Sequence, residues 1–259
     1  MISAKLARRE IKNNLKYWVF FALNLIIGLL GFTFILIFKN TVGESLEIRS
    51  KTLLSADMAI TGRRALEGRE RSLVDEYLKA QVSEQTSLKE LYSMGRVTIP
   101  EKRSRLIFIK AISGKFPLIG KIELSEKGIL TSQHIQTLQS QPSIIISKEV
   151  SHQFKIAIGD RISLGKKEFE VFDILNFDST SSMRGVNLAP KAYIGKAFLE
   201  ETGLLGFGSV SWSTDFYSFK QSVDFENIKA DLENIITDPG IKVRTPKNSS
   251  EQLSRIINY

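Results

Sequence analysis

The chain has 259 residues, a formal charge of +8, 42% hydrophobic residues and no cysteine. That is enough apolar material for one or two folded domains, and it excludes a disordered chain, a disulfide framework, a thiolate nucleophile and any cysteine-based zinc site. Half of the net charge lies in residues 1–17, where Lys5, Arg8, Arg9, Lys12 and Lys16 face only Glu10, so the rest has no dense basic face for nucleic acid.

Ala4, Ala7, Ile11 and Leu15 of residues 1–17 recur with Trp18 at helical spacing, with basic residues between them. This predicts a cytoplasmic amphipathic helix lying along lipid headgroups. Residues 18–38 follow as 21 positions without a charge, which at the helical rise span ~31 Å, one bilayer core. The run is longer than a signal-peptide core and lacks small residues at a cleavage site, so it reads as a transmembrane helix. The basic flank places the N-terminus in the cytoplasm and the rest of the chain outside it. Asn24, Gly28 and Gly31 share one helix face, a candidate packing face for other transmembrane helices.

Residues 39–55 are polar and helix-compatible, a stalk, and residues 56–248 read as one external domain. Met58–Thr61 is a strand candidate ending in the turn Gly62-Arg63-Arg64, whose arginines are candidates for contact with headgroup phosphates or another anion. Leu66–Val82 reads as a helix with the stripe Leu73, Val74, Tyr77 and Leu78. Leu91–Ile99 and Arg105–Ile112 form a predicted hairpin around Pro100. Ser143–Ile146 is a strand, Lys148–Phe154 a short helix, and Arg161–Leu164 and Glu168–Leu175 a hairpin about Gly165-Lys166. Lys191–Gly203 contains a predicted short helix, Ser209–Phe219 predicts a strand, Phe225–Ile236 an amphipathic helix, and residues 249–259 the start of a second stalk helix. The expected class is α+β: a transmembrane helix and a mixed βαβ domain with a small β-rich unit.

Catalytic and cofactor motifs are missing. A phosphate-binding loop needs four residues between its glycines and a hydroxyl after the lysine; Gly159 and Gly165 have five between them, and Lys167 takes the hydroxyl's place. His134 and His152 have no cysteine to complete a metal set, and no serine sits in Gly-x-Ser-x-Gly. Glu200 and Glu201 are adjacent, so on a helix they diverge by about 100°. The expectation is no enzyme, no cofactor and no metal. The apolar loop from Gly203 to Ser209 fits both a buried loop and a surface that touches substrate or partner.

Five segments, in order behind the first membrane helix, resemble the FtsX-like permeases of bacterial ABC transporters, in their MacB-related, lipoprotein-release-like branch. They are Leu54-Ser-Ala-Asp-Met-Ala-Ile-Thr-Gly-Arg-Arg64; Phe108-Ile-Lys-Ala-Ile and Phe116-Pro-Leu-Ile-Gly120; Ile144–Leu175 about Ile158-Gly-Asp-Arg161; Leu188-Ala-Pro-Lys191; and Thr202-Gly-Leu-Leu with Gly208-Ser-Val. The resemblance implies a MacB-like periplasmic core domain and an inner-membrane location. It also implies a separate ABC ATPase and partner helices from further permease spans or a second permease copy. It further implies export or extraction of hydrophobic or envelope molecules. Family members continue through more membrane helices, so the chain is expected to be a truncated product or a split subunit. The other reading left open by the residues is the ligand-binding ectodomain of a membrane-anchored sensor or receptor.

Overall fold

The computed structural model describes residues 15–98, 102–180, 189–206, 208–221 and 223–247, with side chains at 15 and 39–49 left aside. The expected helix at residues 1–17, apart from its last three residues, and the expected stalk at 249–259 lie outside the described residues.

Helix α1, Leu15–Leu54, is a single 40-residue helix. Lys16–Phe38 is the one stretch among the described residues long and apolar enough to cross a membrane, with a mean hydropathy of 2.5 and no part of it buried by the chain. The chain divides into two units, 1–48 and 49–259, so the last turn of α1 belongs to the folded domain.

In the domain, strands β1 (Met58–Gly62), β2 (Val82–Val97), β3 (Arg103–Ile112), β4 (Ile122–Leu124), β5 (Gly128–Ile129), β6 (Ser143–Ser147), β7 (Arg161–Leu164), β8 (Lys167–Asp178), β9 (Lys191–Gly195), β10 (Ser211–Phe219) and β11 (Lys242–Arg244) form one sheet. Its order is β11-β1-β10-β2-β3-β9-β6-β8-β4-β5, and β7 pairs with both β2 and β8. Those last two pairings close the ladder β2-β3-β9-β6-β8-β7 on itself, making a small barrel within a longer sheet. Two pairs are parallel, β3 with β9 and β6 with β8. The crossover from β6 to β8 runs through helix α4, Lys148–Phe154, and supplies the βαβ unit.

The alternation of side chains across this sheet builds three cores. The barrel interior is filled by residues such as Ile107, Ile109, Ile146, Ile162, Phe169 and Ile194, sealed at one end by Phe154 of α4. Outside the barrel wall, helix α3 (Ser132–Ser140) packs Ile135 and Leu138 against Ile145 and Tyr193, and Leu54 of α1 joins that core. Helices α2 (Gly68–Leu78) and α5 (Phe225–Ile235) cover β1, β10 and β11 with Val74, Leu78, Ile228 and Leu232. Two glycines are required sterically. Gly165 turns the β7–β8 hairpin at φ +59°, where a Cβ would sit 2.1 Å from the Thr202 carbonyl oxygen, and at Gly195 a Cβ would sit 1.8 Å from that of Leu138.

Three local expectations are corrected. The helix expected over Leu66–Val82 is limited to α2, and of its predicted stripe Leu73 is exposed while Val74 and Leu78 are buried. Strand β2 begins at Val82, well before Leu91, because β10 pairs with its polar first half from Val82 onward. The short helix expected within Lys191–Gly203 is present only as two 3-10 turns, Lys196–Phe198 and Glu200–Thr202, and the first five residues of that range are strand β9. A strand buried on both faces shows no alternation, and a short apolar run of that kind cannot be told from a buried helix.

Candidate functional site

The seat of α1 in the domain is the first feature that geometry singles out. The helix ends because Ser55 turns left-handed, φ +67°, with its N–H on the Thr52 carbonyl at 3.2 Å. The Ser55 carbonyl then accepts two backbone N–H groups, from Leu118 and Ile119, both at 3.0 Å. Lys51 pairs with Asp57 at 3.3 Å, and Asp57 accepts from the Ser218 hydroxyl at 3.0 Å and the Phe219 N–H at 3.1 Å. Leu54, 1% exposed, is buried with Phe116, Tyr193 and Phe216. The last turn is thus held by core packing, by backbone and by charge.

The same core contains a buried charge cluster assembled from three strands. Lys110 of β3, 1% exposed, lies 3.4 Å from both the Thr180 and the Tyr193 hydroxyl oxygens. Asp178, at the end of β8, accepts the Thr180 N–H at 2.8 Å and its hydroxyl at 2.6 Å on Oδ1. On Oδ2 it accepts the Tyr193 hydroxyl at 2.8 Å and the Lys191 ammonium at 2.9 Å. Burial pushes the Asp178 pKa up, but Lys110, Lys191 and the hydrogen bonds outweigh it and hold the carboxyl below its ordinary value. Burial, with the Asp178 charge, raises the Tyr193 phenol well above its ordinary pKa. Glu90 lies directly across from Lys110 in the β2–β3 register and is itself buried. A cavity of about 430 Å³, lined by Ser147, Glu149, Gln153, Pro190 and Lys191, opens beside the cluster. Every Asp178 oxygen is committed to donors that position it, an arrangement that braces strands and leaves no basic group poised against a nucleophile.

The sequence-predicted residues are dispersed. Asn24, Gly28 and Gly31 lie on one face of α1 in its exposed stretch, where Asn24 donates from Nδ2 to the Phe20 carbonyl at 2.9 Å and a Cβ at either glycine would point into open space. Arg64 is held by Glu70 at 2.6 Å and Asp238 at 2.7 Å, and hydrogen bonds to these two carboxylates keep its pKa raised. Its guanidinium is therefore already paired, whereas Arg63 is exposed. His134 caps α3 with Thr131, His152 is exposed, and among the described residues no cluster of three histidine, aspartate or glutamate side chains can hold a metal. In the loop after Gly203, Leu204 and Leu205 pack against the barrel core. Neither the Asp178 cluster nor the α1 seat was among the residues singled out from sequence. One signal for the cluster stood in it, a lysine inside the apolar run from Leu106 to Ile112.

Fold and sequence together define a chain with one N-terminal helix long and apolar enough to cross a membrane, followed by an α+β domain. The sequence pattern of the MacB-like periplasmic core domain matches residues 19–235, and the chain belongs to that family, whose domain is carried by permeases of ABC-type transporters. The periplasmic region of MacB from Actinobacillus actinomycetemcomitans is similar in fold, with a TM-score of 0.51 at 11% identity over 76% of this chain and 92% of that one. The extracellular domain of the noncanonic ABC-type transporter YknZ from Gram-positive bacteria gives a TM-score of 0.46 at 11% identity, over 73% of this chain and 100% of that one. A domain of a putative permease protein from Porphyromonas gingivalis gives 0.45 at 8%, over 73% and 89%. No curated protein sequence matches the chain.

Proposed function

We propose that this chain is the first membrane helix and first external domain of an ABC transporter permease, transmitting movement between a separate ATPase and envelope-associated or hydrophobic cargo. The N-terminus is cytoplasmic, the domain lies outside the inner membrane, and no catalytic step takes place on this chain. One observation carries the reading: the helix that holds the apolar span continues without a break to Leu54, whose side chain is in the domain core. A helix fastened by Lys51–Asp57, the two hydrogen bonds on Ser55 and the burial of Leu54 can pass force into the sheet. Partner helices from further spans or a second copy would pack on the Asn24, Gly28 and Gly31 face. The test is a flexible glycine-rich insertion near Thr41 in the full chain, reconstituted with its ATPase. The insertion is expected to uncouple ATP hydrolysis from transport; unchanged coupling would overturn the proposal.

A further inference from the structure

Between α2 and the turn after β9, one face of the sheet gathers three cations, Arg71, Lys89 and Lys196, about two carboxylates, Asp75 and Asp215. Ser87 and Asp215 are directly opposite each other on β2 and β10, and Lys89 and Ser213 form the next pair along on the same face. From one side α2 reaches over, where Arg71 donates from Nη1 to Asp215 at 2.8 Å and from Nε to Asp75 at 3.0 Å. From the other side Lys196 donates from Nζ to the Ser87 hydroxyl at 2.8 Å. Among the described residues no carboxylate lies within ion-pair distance of Lys89 or Lys196, and Asp215 spends its Oδ2 on Arg71. Burial lowers the Lys196 pKa; Asp215 opposes this, but Lys89 and Arg71 lower it further, and the result is below the ordinary lysine value. Three cations thus share two carboxylates, both engaged by Arg71, and among the described residues Lys89 and Lys196 have no ion pair of their own.

We propose that this floor binds a phosphoryl group, with Lys89, Lys196 and the second Nη of Arg71 as its cationic donors and Ser213 as a hydroxyl donor, while Ser87, bonded to the Ser113 hydroxyl at 2.9 Å, holds Lys196 in place. The donor set favours phosphoryl over carboxylate. Donors converging from a strand, a helix and a turn match oxygens arranged tetrahedrally, and a carboxylate offers two oxygens in one plane. Inorganic phosphate and a phosphorylated lipid headgroup share this chemistry. The proposal is independent of the coupling role, since it rests on side chains remote from the Ser55 seat.

The test uses the full chain in uncharged detergent micelles at low salt, titrated calorimetrically with inorganic phosphate and, separately, with micelle-dispersed short-chain phosphatidic acid. Saturable binding of either probe, weakened by added salt, is expected. Lys89→Ala or Lys196→Ala should weaken it about tenfold each, the loss of one charge-assisted hydrogen bond, and the double variant should abolish it. Lys166→Ala, which removes an exposed cation in the β7–β8 hairpin, should leave it unchanged. Unaltered melting of the lysine variants separates lost binding from lost folding. Binding of phosphate identifies a free anion as sufficient, and binding of phosphatidic acid alone identifies a headgroup. Absence of saturable binding by both, or equal binding by the double variant, overturns the proposal.

Discussion

Replacing Asp178 by alanine removes the carboxylate that accepts from the Lys191 ammonium and the Tyr193 hydroxyl, and it takes a counter-charge from Lys110. Lys110 and Tyr193 are almost wholly buried, so water cannot take over from the carboxylate without opening the wall between β3 and β9. Leaving one half of a buried charge pair uncompensated costs about 3–5 kcal/mol, which for a domain of this size lowers Tm by about 10 °C. Urea unfolding of the full chain in uncharged detergent, followed by fluorescence of Trp212 beside Tyr92, measures it. Asp178→Asn combined with Lys110→Met removes charge from both sides and should recover part of the loss. The sign with pH follows from the lowered pKa: the carboxylate's contribution is present above the unfolded value near ~4 and is lost as pH falls through the lower folded value. A loss below about 1 kcal/mol for Asp178→Ala would show that the cluster is solvated and would refute the reasoning.

Three further outcomes follow from single positions. Ser55→Gly removes the steric cost of a left-handed side chain at the end of α1 and should stabilise the domain by about 1 kcal/mol in the same unfolding assay, a sign that Ser55→Val should reverse. Gly195→Ala places a methyl group against the Leu138 carbonyl and should destabilise the domain by at least ~1–3 kcal/mol, forcing α3 away from β9. The Tyr77 phenol is raised to about 12 by its 2.5 Å hydrogen bond to Asp231, with smaller effects from burial and the Asp231 charge; Asp231→Asn should return its ultraviolet-detected ionisation toward 10.

The parts of the fold legible in the sequence were those whose pattern is local. The apolar stretch of α1, the β7–β8 hairpin at Gly165-Lys166, the helix Lys148–Phe154 and the amphipathic α5 each declare themselves within a dozen or so residues. What escaped depends on distant partners. Strand β9 is buried on both faces because β3 and β6 flank it, and α3 exposes most of its polar surface while burying only Ile135 and Leu138. Strands β4 and β11 are three residues each, too short for periodicity to register. The Asp178 cluster joins residues 68 positions apart or more on the Lys110 side, and sequence could offer only the misplaced polarity of Lys110 itself.

The physical link between the two structural features is the core they share. Leu54, the last residue of α1, and Tyr193, the buried phenol on Asp178, belong to the same apolar cluster, with Phe116 in contact with the rings of both Tyr193 and Phe216. Apolar packing alone resists displacement weakly in direction, since dispersion contacts re-form after small slips. A buried lysine–aspartate–tyrosine network is directional, because its hydrogen bonds have fixed geometry and moving a strand strands a charge. Placing such a network in the wall on which a helix end rests makes that wall stiff against shear between β3, β8 and β9. Under the proposed coupling role, a domain that follows its helix would need that stiffness, and the costly burial of Lys110 would serve it.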